Sequence, residues 1–347
     1  MNKLTRISKN PGSIIFVALV LLALLVVVLI INWSTLTPVD RSMDEIELLK
    51  VDDHPLYVMH YTGDYGFDDF LKEGLQGDSG NELHLVGTYG WACSCFAAMP
   101  QTGDAHFGRN FDWNNDPALL LFTDPPDAYA SVSMVDISYL GFGMEEPSRE
   151  DRHRLVEAPF MPFDGMNEYG VAVGMMAVPR AEGGNDPGKV TIDSLHAIRL
   201  VLDYARNVNE AIDLLKKYNI DFTGGPPLHY LIADRGGNSV VVEYLDGRMT
   251  VIPNNDTWQV ATNFILSDVT LNQAKSTCDR YQIAYDTLSM TAGQISLEES
   301  MSLLQDVSQD NTIWSVVYDM TSGEIHVVMG RAYEHTLDFK LELIPTR

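Results

Sequence analysis

The stretch Cys93–Trp113, CSCFAAMPQTGDAHFGRNFDW, constrains this chain more than any other. An apolar run headed by a thiol leads into a turn at Gly103, and a second segment carrying Gly-Arg-Asn-Phe-Asp returns beside the first. The fold-back carries Arg109 and Asp112 toward Cys93, although they lie 16 and 19 residues further on. A neighbouring cation lowers a cysteine pKa from about 8.5. A carboxylate in the same place can hold an amine or orient a proton carrier. These are the parts of a cysteine acyl-transfer site.

Such a site needs a nucleophile, a proton carrier and donors for a tetrahedral oxyanion. The nine histidines are scattered and none stands in a Cys-His-Asn/Asp arrangement. An α-amino group can carry the proton instead, since its ordinary pKa of about 7.7–8.0 is close to working pH. That solution requires Cys93 to become a chain terminus, so the Ala92–Cys93 bond must break, with attack by the same thiol as the natural route.

Residues Ile14–Ile31 form an unbroken apolar run of 18. As a helix it would span about 27 Å, close to the hydrocarbon thickness of a bilayer. Lys3, Arg6 and Lys9 precede it without an acid, which predicts a cytoplasmic amino terminus and an extracytoplasmic remainder. A signal peptide removed on secretion is the competing reading, but Ile30-Ile31-Asn32-Trp33 is a poor cleavage site. The formal net charge is −25, all of the acid lying after the apolar run, which disfavours nucleic acid and anionic headgroups as partners. Three cysteines are too few for a disulfide scaffold, and the spacing leaves open whether Cys95 and Cys278 pair. No HExxH, clustered Cys/His set or phosphate loop occurs, so no metal and no cofactor is implied.

The expected organisation is a basic tail (1–13), a membrane anchor (14–33), a polar stalk with helical character (34–53), a propeptide or small subunit (54–92) and a catalytic domain (93–347). Period-two runs predict strands at Cys93–Met99, Leu119–Thr123, Ser131–Ser138, Val171–Val178, Leu228–Ala233, Ser239–Tyr244, Met249–Pro253, Trp258–Asn263, Thr312–Tyr318, Glu324–Met329 and Asp338–Ile344. Helical stripes occupy Ile192–Ala205, Glu210–Tyr218, Arg280–Leu288 and Ser296–Val307; Asn207 or Asn209 can cap the second, and Ser296 with Glu299 forms a capping-box pattern on the last. The alternation of strand blocks and helix pairs gives an α+β fold.

The Cys-Ser pair followed by Gly-Arg-Asn-x-Asp at this spacing resembles the linear-amide C–N hydrolases of the N-terminal-nucleophile (Ntn) class, the group of bile salt hydrolases, penicillin V acylases, acid ceramidase and isopenicillin N acyltransferase. The resemblance implies a four-layer αββα sandwich and a linear N-acyl amide as substrate, cleaved through a thioester after autoprocessing. It picks Cys93 over Cys95 as nucleophile, and implies thiolate stabilisation by Arg109 and capture of the freed amine by Asp112. VATNF places Asn263 on the family's oxyanion-hole Asn, and Cys278-Asp279-Arg280-Tyr281 matches its charged helix start, with Arg280 closing the charge network. Counted from Gly165-Met166-Asn167-Glu168, the family's other oxyanion Asn falls on Ala177, a departure that puts bile salt or penicillin V hydrolysis in doubt. Acyl transfer to a second amine, or a non-catalytic ligand-binding ectodomain, are the rival expectations.

Overall fold

The computed structural model of the chain describes residues 47–75, 92–114 and 116–345. Strands run in chain order β1 (Leu49–Asp52), β2 (Leu56–Tyr61), β3 (Ala92–Ala98), β4 (His106–Asp112), β5 (Ala118–Thr123), β6 (Ser131–Asp136), β7 (Asp164–Asn167) and β8 (Val171–Ala177). They continue with β9 (Thr191–Asp193), β10 (Asn219–Asp221), β11 (Leu228–Asp234), β12 (Ser239–Leu245), β13 (Arg248–Pro253) and β14 (Trp258–Ala261), ending with β15 (Thr312–Asp319), β16 (Glu324–Met329) and β17 (Leu337–Lys340). Helices are α1 (Phe67–Glu73), α2 (Ser194–Tyr204), α3 (Val208–Leu215), α4 (Leu271–Thr277), α5 (Asp279–Thr291) and α6 (Leu297–Asp306).

One nine-stranded sheet has the order β1-β2-β5-β6-β7-β8-β11-β12-β13, and a six-stranded sheet has the order β14-β3-β4-β15-β16-β17. The sheets meet where β3 packs on β8; α2 covers β7 and β8, while α5 and α6 cover β14, β3, β4 and β15. The fold is mixed α+β, as its strand and helix order predicts.

Strand alternation explains why β3 can sit between a sheet and a helix layer. Phe96 and Ala98 point into the cluster built by Ala284, Leu288 and Leu304 of α5 and α6. Cys93 and Cys95 point the other way, to the facing sheet. Two glycines permit the close approach. A Cβ on Gly174 of β8 would lie 2.9 Å from Cys95 Sγ, and one on Gly108 of β4 would lie 2.3 Å from the Phe96 ring. Burying a ring such as Phe96, 1% exposed, contributes roughly 1.5–3 kcal/mol.

The helix starts follow local chemistry. Asn207 caps α3 through Glu210 N–H, and the Ser296–Glu299 capping box makes both of its reciprocal bonds. Asp193 caps α2 with bonds from Leu195 and His196 N–H.

Three expectations need correction. The stalk does not extend to Asp53: Leu49–Asp52 are strand β1, because β2 supplies buried apolar partners at Leu56, Tyr57 and Val58. Within the segment 54–92, expected as a propeptide or small subunit, β2 lies parallel to β5 inside the large sheet. The polar-flanked strands β2 and β7 were not expected at all, and the last strand stops at Lys340 rather than Ile344. Cys93, Cys95 and Cys278 are all free thiols. The apolar run 14–31 and its boundaries lie outside the described residues. Among the described residues, no helix is long and apolar enough to cross a membrane.

Candidate active site

The β3–β4 register pairs Ala92 with Asp112, Cys93 with Phe111 and Cys95 with Arg109. Cross-strand partners share a face, so Arg109 enters the space between the sheets alongside both thiols. Its side chain is fully buried. Nη2 lies 3.9 Å from Cys93 Sγ and Nη1 lies 3.5 Å from Cys95 Sγ, while Nη1 also donates to the Met175 carbonyl of β8. Nε stands 2.7 Å from Asp164 Oδ2 in a fully buried ion pair. Asp164 in turn accepts from Tyr318 Oη–H (2.6 Å) and Trp314 Nε1–H (3.1 Å) of β15.

Asp112 and Arg280 come from the opposite side. Asp112 is buried and accepts from Thr312 Oγ1–H at 2.5 Å, and its Oδ2 has no hydrogen-bond donor among the described residues. Arg280, near the start of α5, has Nη1 3.7 Å from that Oδ2. The same nitrogen donates to the Cys93 carbonyl (2.6 Å) and Ser94 Oγ (2.9 Å), and Nη2 donates to Asn263 Oδ1 (3.0 Å). The sequence reading places these residues in one charge network. The structure sets Arg109 on one face of the β3–β4 hairpin and Asp112 with Arg280 on the other, with Cys93 between them.

Asn263 follows β14, which pairs with β3 at Ala261 opposite Cys95. Extending that pairing brings Asn263 beside Cys93, whose N–H donates to Asn263 Oδ1 at 2.6 Å. The Asn263 amide nitrogen donates to the carbonyl of Ala177 at 2.8 Å. One N–H of that amide is therefore already engaged in the intact chain, and the residue grips the nitrogen of the Ala92–Cys93 bond. The four residues singled out in the sequence besides the nucleophile, Arg109, Asp112, Asn263 and Arg280, thus gather around Cys93.

Burial raises the Cys93 pKa, and Arg109 opposes the rise without cancelling it. The expected thiolate is therefore disfavoured here, because the site is dry as well as cationic. Cys95 is pushed up by burial to about 12. Burial also raises Asp112 to about 6, against hydrogen bonding from Thr312 and the charges of Arg280 and Arg109. Asp164 is likewise raised by burial, with Arg109, Tyr318 and Trp314 working against it.

Beside the thiol lies an apolar pocket walled by Phe111, Trp113, Tyr139, Phe163, Met175 and Leu228. Asp164, Tyr318 and Trp314 escaped the sequence reading. Asp164 opens the DGMNE segment, but nothing in its spacing announced a bond to Arg109. Among the described residues no group of acidic, His and Cys side chains is arranged to hold a metal ion.

The profile of the linear amide C–N hydrolases, choloylglycine hydrolase family, matches residues 93–302, beginning at Cys93 itself. A mutant of conjugated bile acid hydrolase from Clostridium perfringens superposes with a TM-score of 0.54 at 18% identity, covering 72% of this chain and 92% of that one. Penicillin V acylase from Agrobacterium tumefaciens gives a TM-score of 0.49 at 18% identity, covering 68% of this chain and 83% of that one. An uncharacterized protein of Paramecium bursaria Chlorella virus 1 is 31% identical over 101 residues, which are 26% of this chain; the chain spans only 36% of that relative's length. With the profile covering most of the described residues and starting at the buried thiol, the chain belongs to the choloylglycine hydrolase family of Ntn enzymes, hydrolases of the carbon–nitrogen bond in linear amides.

Proposed function

We propose that this chain is an αββα N-terminal-cysteine amidase that frees its own nucleophile by cleaving Ala92–Cys93. One observation carries the reading: the nitrogen and the sulfur of Cys93 are held separately, by Asn263 Oδ1 and by the Arg109 guanidinium. Sγ attacks the Ala92 carbonyl, the Cys93 nitrogen leaves with a proton, and water hydrolyses the resulting thioester. This yields a carboxylate on Ala92 and an α-amine on Cys93. Asp112 stands opposite Ala92, its Oδ2 without a hydrogen-bond donor among the described residues and 3.7 Å from Arg280 Nη1, suited to take the thiol proton first and to hold the ammonium afterwards. In turnover Sγ attacks the acyl carbonyl of an N-acyl amide, the α-amine passes the thiol proton to the leaving amine, and water releases the acid. The apolar pocket receives the acyl group. Asn263 donates to the oxyanion, and backbone amides replace the donor lost at Ala177. Residues 14–33 anchor the enzyme to a membrane, with the catalytic part outside the cytoplasm.

Two tests bear on this mechanism. Asn263→Ala should lower kcat about 10²–10³-fold, the usual loss for one oxyanion donor. Steady-state kinetics on a fluorogenic N-acyl aminomethylcoumarin read the effect, and an unchanged kcat would remove Asn263 from the reaction. The second test is pH. An acid whose pKa is raised to about 6 is a proton acceptor only above that pH. Self-cleavage of freshly synthesised chain should therefore slow about tenfold per unit below pH 6 and level off above it. Asp112→Asn should cleave slowly at every pH. A flat profile for the unaltered chain would contradict the acceptor role.

A further inference from the structure

Behind Asn263 lies a buried pair of side chains that touches neither thiol. The β11–β12 register sets Tyr230 against Val242, and so His229 against Glu243. Both are buried, at 0% and 1% exposure. His229 Nδ1 is 3.3 Å from Glu243 Oε1, and its Nε2–H donates to the Thr262 carbonyl at 2.7 Å. Glu243 Oε1 accepts the Leu266 N–H at 2.6 Å; Oε2 accepts the Ser267 N–H at 3.2 Å and its hydroxyl at 2.5 Å. The two side chains thereby grip the backbone immediately before Asn263 and again three and four residues after it.

A carboxylate taken out of water needs such donors. Burial acts to raise the Glu243 pKa, but His229, the Ser267 hydroxyl and the Leu266 amide together bring it below the ordinary value. Glu243 is therefore a fixed anion at neutral pH. The segment it holds contains no regular structure between β14 and the short helical turn at Leu266–Asp268. Without the grip, the aim of the Asn263 side chain would rest on its bonds to Ala177, Arg280 and Cys93 alone. Ala177, whose carbonyl takes the Asn263 amide, has no side-chain amide of its own to share the task.

We propose that Glu243 and His229 are positioning residues that clamp residues 262–267 and so aim the Asn263 amide at Cys93. The inference rests on the proposed role of Asn263. Misplacement of a reacting group by about 1 Å can cost 10²-fold. Glu243→Gln should thus lower kcat about 10–100-fold on the fluorogenic N-acyl aminomethylcoumarin, with KM within about twofold of the unaltered chain.

The deciding measurement is the double variant. If the pair acts through Asn263, Glu243→Gln adds no further loss in an Asn263→Ala background. Losses that multiply in the double variant would show a general structural role and overturn the proposal. An unchanged kcat in Glu243→Gln, with Asn263→Ala impaired, would also overturn it while leaving the amidase mechanism intact. An unimpaired Asn263→Ala would instead take away the reading beneath it. Should Glu243→Gln fail to fold, Ser267→Ala removes one bond from the clamp without opening the core. It should lower kcat about threefold, again only when Asn263 is present, and no change there would overturn the clamp.

Discussion

Cys93→Ala yields a chain that stays whole and hydrolyses no amide, with a loss of at least about 10⁴-fold, or more than 5 kcal/mol of barrier. The unaltered chain should separate on denaturation into residues 1–92 and 93–347, read by intact mass and amino-terminal sequencing. The reason is positional. Only the sulfur of Cys93 belongs to the residue whose nitrogen sits in the bond to be cut, and only that nitrogen is held by Asn263. Cys95 has a sulfur close to the same guanidinium, yet it lies one full strand repeat deeper, against Gly174, with a pKa near 12. Cys95→Ala should therefore still be processed. Before denaturation the two pieces should elute together, because β2 is paired within the large sheet and Phe67 of α1 is buried among Phe160, His196 and Tyr204. Cleavage that persists in Cys93→Ala would end the case for this nucleophile.

Asp164→Ala should destabilise the fold by about 3–5 kcal/mol, the usual cost of leaving one member of a buried pair uncompensated. Arg109 would keep its charge at zero exposure, and Tyr318 and Trp314 would each lose their acceptor. Urea unfolding measures the change. Asp164→Asn, which keeps an acceptor oxygen for Tyr318, should cost less. Activity should fall as well, since the guanidinium that faces Cys93 Sγ is held by Asp164 from behind. A loss under about 1 kcal/mol would mean that water or another carboxylate reaches Arg109, contrary to its complete burial.

Which of these groups could be read from the sequence follows from how each is held. Cys93, Arg109 and Asp112 were legible because a single hairpin brings them together, and hairpin geometry depends on short-range spacing. The capped helices were legible for the same reason: Asn207 and Ser296 act on amides three residues away. Asp164, His229 and Glu243 were not, because their contacts depend on which strands become neighbours. LHYLIAD and SVVVEYL read as strands in any sheet order, and DGMNE carries no strand pattern at all. Parity alone sets Arg109 and Asp112, three residues apart on β4, on opposite faces, but which of those faces meets the second sheet and which the helices depends on long-range packing. Only the far end of the stalk is contradicted, since Leu49–Asp52 pair with β2. Acid-rich Asp44–Glu47 outweighed the short Leu48–Val51 stretch, whose partner strand β2 was itself unrecognised.

The parallel pairing of β2 with β5 gives the matured protein a memory it cannot rewrite. If Ala92–Cys93 is cut as proposed, the sheet is shared by two polypeptides that were born as one, and the covalent tether that guided β2 to its place is gone. Re-forming the sheet after complete melting then becomes an encounter between separate molecules, slower on dilution and open to aggregation. On the proposed processing, each copy would be assembled as an intact precursor and then be protected by the height of its unfolding barrier.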